Sequence, residues 1–230
     1  MRMRIAHLYP RDMNLYGDGG NVMVLAKRLS WRGHAVDVLS IDPGTRTDVR
    51  RADIIVGGGG SDDAQRQVAA DLVARQQQIL GALAEEVPML VVCGMFQLFG
   101  HAYVPADGRA IHGVGVFDAV SSASVPRICG PITVATEDGT VSGFENHSGV
   151  TRHARGQSPF GRVLSGTGNG AGVAEEGARR GSAIGTYLHG PVLAANPDLA
   201  DHLLLSALRR RDPNAELEPL DEPGWLHSRR

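Results

Sequence analysis

A chain of 230 residues that is 42% hydrophobic, with a formal net charge of −2, holds enough apolar material for one sizeable core and carries no global electrostatic footprint for nucleic acid. Its two cysteines, Cys93 and Cys129, and the absence of an apolar leader after Met1-Arg2-Met3-Arg4 argue against a disulfide scaffold and against secretion. No run approaches the length of a membrane span, and a cytoplasmic location is expected.

In chain order, residues 5–9 are expected as a first strand, and the Gly-rich segment 14–21 leads into a helix carrying Val22, Val24, Leu25 and Leu29 that ends before Gly33. Residues 35–39 and 52–56 are the next strands, the latter closed by Gly57-Gly58-Gly59-Gly60. Residues 62–83 read as one long helix and 89–92 as a fourth strand. Strands alternating with helices at this spacing predict an α/β fold, a mostly parallel central sheet with helices on both faces and with its functional loops at the strand C-terminal ends. After Gly100 the texture changes to short β-like runs, 114–120 and 131–134, separated by turn clusters such as Glu137-Asp138-Gly139-Thr140. A short antiparallel extension is expected there. Residues 183–188 form a last buried strand, and 197–211 a closing helix. One domain over 1–211 is expected, followed by a Pro-, Asp- and Glu-rich tail, 212–230, either mobile or pinned by Trp225.

Cys93 sits between an apolar strand and a short helix-like stretch, where backbone N–H groups and the helix dipole favour a thiolate. A small core cysteine at a strand end is the other reading. A thiol nucleophile needs a base, and His189 is the best placed of nine histidines, because it follows strand 183–188 as Cys93 follows 89–92. Taken alone, a histidine there is more often a capping or surface residue. An acyl-transfer site also needs donors for the developing oxyanion: the N–H of Gly94 follows the nucleophile directly, and the glycine run offers a second at Gly58, with Gly59 next in order. The run is otherwise a flexible loop. It is not a phosphate loop, since no Gly-Lys-Ser or Gly-Lys-Thr follows. The histidines are scattered and the cysteines far apart, so no metal site is expected.

Four segments carry a family resemblance: Asn14-Leu15-Tyr16-Gly17-Asp18-Gly19-Gly20-Asn21, Cys93-Gly94-Met95-Phe96-Gln97, Gly143-Phe144-Glu145-Asn146-His147-Ser148-Gly149, and Thr186-Tyr187-Leu188-His189-Gly190-Pro191. Together they resemble the class I glutamine amidotransferases of the cobyric acid synthase type, and among these the glutaminase subunits of lipid II isoglutaminyl synthases. The resemblance implies that Cys93 attacks the side-chain amide of L-glutamine, that His189 serves as acid and base, and that Arg127 holds the substrate carboxylate with its guanidinium fork. Gln97 is expected one turn into the elbow helix, lining the pocket or bracing the turn. Asn146 and His147 are expected to support the site or a partner surface. The ammonia would pass to a MurT-like, Mur-ligase-type partner subunit in a heterodimer, which amidates the α-carboxyl of D-glutamate in the lipid II stem peptide. No cofactor is expected on this chain, with ATP and Mg²⁺ belonging to the partner.

Two departures stand out. Many relatives carry Glu two residues after the histidine, whereas Gly190 and Pro191 follow His189; a carboxylate from the partner is therefore expected to orient it, leaving the isolated chain a poor glutaminase. Met95 stands where glycine is common and is expected to reshape the pocket wall. The alternatives are a glutaminase for another acceptor, such as a cobyrinic acid derivative, a non-catalytic binding module of the same fold, or a cysteine peptidase on a related sheet.

Overall fold

The computed structural model describes residues 1–220. Its first half runs β1 (Arg2–Leu8), α1 (Gly19–Trp31), β2 (Ala35–Ile41), β3 (Ile54–Gly57), α2 (Asp62–Ala74), α3 (Gln76–Ala84), β4 (Met89–Val92) and α4 (Gly94–Phe99). There follow β5 (Ala102–Val104), β6 (Ile111–His112), β7 (Ala119–Thr136), β8 (Gly139–His153), β9 (Gly161–Ser165), β10 (Glu175–Glu176) and β11 (Ala178–Arg180). The chain then forms β12 (Ala183–Thr186), β13 (Leu188–His189), α5 (Val192–Ala195) and α6 (Pro197–Arg209).

The main sheet has the order β11-β12-β4-β3-β1-β2, parallel throughout except for β11 at one edge. The residues of β3, β4 and β12 are all buried, which is why these strands read as unbroken apolar runs rather than as alternations. Because β2 lies on one side of β1 and β3 on the other, the strand order reverses between β1 and β3. In an open parallel sheet such a reversal opens a crevice at the strand C-terminal ends. The loops after β1, β3, β4 and β12 converge there, and with them come Asp18, the glycine run, Cys93 and His189.

Four expectations change. The helix over 62–83 is two helices, broken at Arg75, whose side chain donates to Asp71 Oδ2 at 2.7 Å, to Thr47 O at 3.0 Å and to Thr45 O. The run 114–120 is strand only from Ala119: Val114, Val116 and Phe117 fill the core from a loop, where the amides of Val114 and Phe117 donate to the carbonyls of Leu98 and Phe99. The antiparallel part is larger than a short extension, because β7 and β8 form one long hairpin across the Glu137-Asp138 turn inside a second, seven-stranded sheet. Finally, the last apolar strand divides at Tyr187, so that β12 belongs to the main sheet while β13 pairs with β8, His189 opposite Phe144.

After α6, Arg211 binds the Asp53 carboxylate, Ala215 is buried and the Glu218 carbonyl accepts from Arg32. The expectation for Trp225 lies outside the described residues. No helix among the described residues is long and apolar enough to cross a membrane.

Candidate active site

Cys93 sits at the turn between β4 and α4 with φ +53° and ψ −109°, a conformation that residues other than glycine rarely adopt. Its N–H donates to Thr186 O at 2.8 Å, which ties the turn to the end of β12. The elbow bends the chain sharply enough to leave the sulfur above the sheet edge, as a nucleophile requires.

His189 and Cys93 meet across the glycine run. A Cβ on Gly59 would lie 3.1 Å from His189 Cε1 and 3.3 Å from Cys93 Cβ, so only a glycine lets the two side chains approach there. On its other side, His189 Nδ1 lies 3.0 and 3.1 Å from the two carboxylate oxygens of Asp18, a residue that is 1% exposed. This replaces the expectation of a partner-supplied carboxylate: the loop after β1 delivers one from within the chain. Asp18 Oδ2 also accepts the Gly59 N–H at 2.9 Å, so one carboxylate aligns both the imidazole and the glycine loop. Burial alone would lower the pKa of His189, but the hydrogen bond to Asp18 and the sulfur of Cys93 outweigh it and hold the imidazole up at about 10.

The other expected residues are placed unevenly. Gly94 N begins α4 directly after Cys93, and the position of a Gly94 Cβ lies 3.1 Å from the N of Gly60. Gly58 is packed against the loop after β1, where a Cβ on it would strike Met13 O at 2.5 Å and Asp18 Cβ at 2.8 Å. The glycine that lines the cavity with Cys93 is Gly60. Met95 is fully buried, and its Cγ fills the space of the missing side chain of Gly57 instead of forming a pocket wall. Gln97 both lines the cavity and braces the interior: its Oε1 accepts from Gln65 Nε2 at 3.0 Å and its Nε2 donates to Tyr187 Oη at 3.3 Å. His147 stacks on Tyr187 with ring centroids 3.7 Å apart, and Asn146 holds Arg127. The cavity itself measures about 470 Å³ and is lined by Tyr16, Gly60, Asp62, Cys93, Gln97 and Arg127 among others, a size suited to an amino acid.

A family model, the CobB/CobQ-like glutamine amidotransferase domain, matches residues 4–197 and so takes in Asp18, Cys93 and His189. The chain belongs to this family. Two curated relatives are the GatD subunits of glutamine-hydrolysing lipid II isoglutaminyl synthase. The one from Streptococcus pneumoniae is 37% identical over 91% of this chain and 82% of the relative, and the one from Staphylococcus aureus is 32% identical over 99% and 93%. A cobyric acid synthase from Sphingopyxis alaskensis is 28% identical over 80% of this chain but only 38% of that longer protein. A solved glutamine amidotransferase shares the fold with a TM-score of 0.60 at 14% identity, covering 88% of this chain and 98% of that one.

In this amidotransferase the arrangement can do three things. It can hold a proton between Cys93 and an imidazole whose tautomer Asp18 sets, offer two backbone N–H groups to an oxyanion, and bind a zwitterion in a half-open cavity. Asp18, Tyr16 and Gly60 are the site residues that sequence reasoning left without a role. A signal for Asp18 existed: a carboxylate between Gly17 and Gly19, in the loop that leads from the first strand into the first helix.

Proposed function

We propose that this chain is the glutaminase subunit of a lipid II amidating enzyme. The observation that carries this reading is the elbow Cys93, which lines the cavity, with the buried His189–Asp18 pair packed beside it across Gly59, in a chain that spans most of the length of two GatD relatives. Cys93 Sγ attacks the side-chain carbonyl carbon of L-glutamine, and the thiol proton resides on His189. The oxygen becomes an oxyanion between the N–H groups of Gly60 and Gly94. As the C–N bond breaks, His189 gives its proton to the departing ammonia, leaving a thioester on Cys93. Water then gives a proton to His189, attacks the thioester carbon and releases glutamate with the thiol restored. Asp18 keeps Nδ1 of His189 protonated throughout, so that Nε2 is the atom that exchanges protons. Arg127 holds the α-carboxylate.

The ammonia passes to a MurT-like Mur-ligase subunit in a cytoplasmic heterodimer. That subunit supplies the ATP and Mg²⁺ and amidates the α-carboxyl of D-glutamate in the lipid II stem peptide. Identity supports this acceptor over a cobyrinic acid derivative: 37% and 32% to the two GatD subunits against 28% to the cobyric acid synthase. The test is ammonia release from L-glutamine by wild type and Cys93→Ala, each with and without the co-expressed ligase, together with mass analysis of lipid II. Cys93-dependent ammonia release and an amidated stem peptide are expected; glutamine turnover with unchanged lipid II would point to another acceptor.

A further inference from the structure

The Arg127 side chain is exposed, yet its guanidinium is committed along one edge. Nε donates to Asn146 Oδ1 at 2.6 Å, while Nη2 donates to the Asn146 carbonyl at 2.9 Å and to Tyr16 Oη at 2.6 Å. These bonds use the single Nε proton and both Nη2 protons, so Nη1 alone retains two N–H groups without a partner among the described residues. A fork in this state cannot grip a carboxylate with two nitrogens, and a second donor has to come from elsewhere. Tyr16 is placed to supply it. Its phenol oxygen accepts from Nη2, and because a guanidinium has no acceptor, the phenol keeps its own proton for a ligand. Tyr16 lines the cavity beside Arg127 and Cys93.

Tyr16 also touches the chemistry. Its ring lies edge-on to His189, with centroids 4.6 Å apart and planes at 60°. The loop that carries it is pinned on both sides, by Leu15 N donating to Gly59 O at 3.0 Å and Gly19 N donating to Asn14 Oδ1 at 2.7 Å, and Asp18 follows two residues later. One short segment therefore supplies both the carboxylate that orients the imidazole and a phenol bonded to the arginine.

We propose that the receptor for the substrate carboxylate is composite, built from Arg127 Nη1–H and Tyr16 Oη–H, and that Tyr16 sets the span from this receptor to the thiol that selects glutamine over asparagine. A lone, exposed arginine follows a substrate one methylene shorter, whereas an arginine clasped to a ring that rests on His189 does not. The proposal rests on the glutaminase reading above.

The test uses the complex with its ligase partner. Ammonia release from L-glutamine and from L-asparagine is measured for wild type, Tyr16→Phe, Arg127→Ala and the double variant. Cys93 labelling by iodoacetamide, a small neutral electrophile with no carboxylate, is followed in parallel by mass spectrometry. Tyr16→Phe keeps the ring and loses the donor: KM for glutamine rises about tenfold, kcat stays within about twofold, iodoacetamide labelling is unchanged, and the preference for glutamine over asparagine narrows. Combined with Arg127→Ala, the losses are less than additive. A wild-type KM in Tyr16→Phe overturns the proposal, as does a loss that appears equally in iodoacetamide labelling, which marks a merely structural role. Wild type that reacts with iodoacetamide but turns over no glutamine removes the underlying reading instead, and the composite receptor with it.

Discussion

Asp18 Oδ1 lies 3.0 Å from His189 Nδ1 in a buried pair whose members stand 171 positions apart in the chain. With this pair the base proposed above is oriented from within one polypeptide. Replacing the carboxylate by an amide removes the negative partner while keeping the shape. Asp18→Asn is expected to lower kcat/KM for glutamine by about 10²- to 10⁴-fold with little change in KM. The pH profile gives a second readout. His189 is raised from 6.5 to about 10, so the imidazolium persists until the pH passes about 10; in Asp18→Asn the limb that reports it moves down toward 6.5. The stability linked to this proton has the same sign: it is full below 6.5 and lost as the pH rises through 10.

Gly94 follows Cys93, the proposed nucleophile, and a methyl group there would sit 3.1 Å from Gly60 N, with the Met13 and Gln65 side chains as its other nearest neighbours. Gly94→Ala is therefore expected to fold while obstructing the oxyanion position. A fall in kcat of about 10²- to 10³-fold without loss of the cooperative thermal transition is the expected result, measured by ammonia release and calorimetry.

Cys93 holds a positive φ that only glycine adopts without cost. Both Cys93→Ala and Cys93→Gly should be inactive, but glycine relieves the strain whereas alanine retains it. Chemical denaturation should find Cys93→Gly more stable than Cys93→Ala by about 1 kcal/mol, the reverse of the usual order between these residues. The reverse outcome would show that the elbow is unstrained.

Glu176 is fully buried; its Oε1 accepts the Tyr187 N–H at 2.7 Å, and both carboxylate oxygens lie 3.1 Å from the donating Thr186 hydroxyl. Burial, reinforced by the charge of Glu145 and opposed by these bonds, pushes its pKa from 4.5 up to about 8. Between those values the folded state keeps a proton that the unfolded state has released, so stability falls as pH rises, by about 1.4 kcal/mol per unit from this group. Glu176→Gln can still accept the Tyr187 N–H and has no proton to lose. Urea titrations from pH 5 to pH 8 should show the variant losing less stability than wild type across that window.

Much of the site was legible before the fold was known. Strand 89–92, the thiol at its end and the helix after it are encoded within about a dozen consecutive residues, because apolar runs and tight turns are local properties. The same holds for His189 at the end of a second buried strand. Composition and period also sufficed for a parallel sheet with its loops at one edge.

What the tertiary structure alone decided are relations between distant segments. The order β4-β3-β1 carries the loop after β1 to His189, and that placement made Asp18 the orienting carboxylate where a partner's had been expected. Close packing of Gly58 against Met13 and Asp18, and the placing of Gly60 on the cavity that Cys93 lines, distinguish four identical residues in a way that no local pattern contains. Arg127 was found by its family position, but which of its nitrogens remain open depends on Asn146 and on Tyr16, 111 positions away. Side-chain identity determined which chemistry the chain can perform; strand order and close packing determined which atoms meet to perform it.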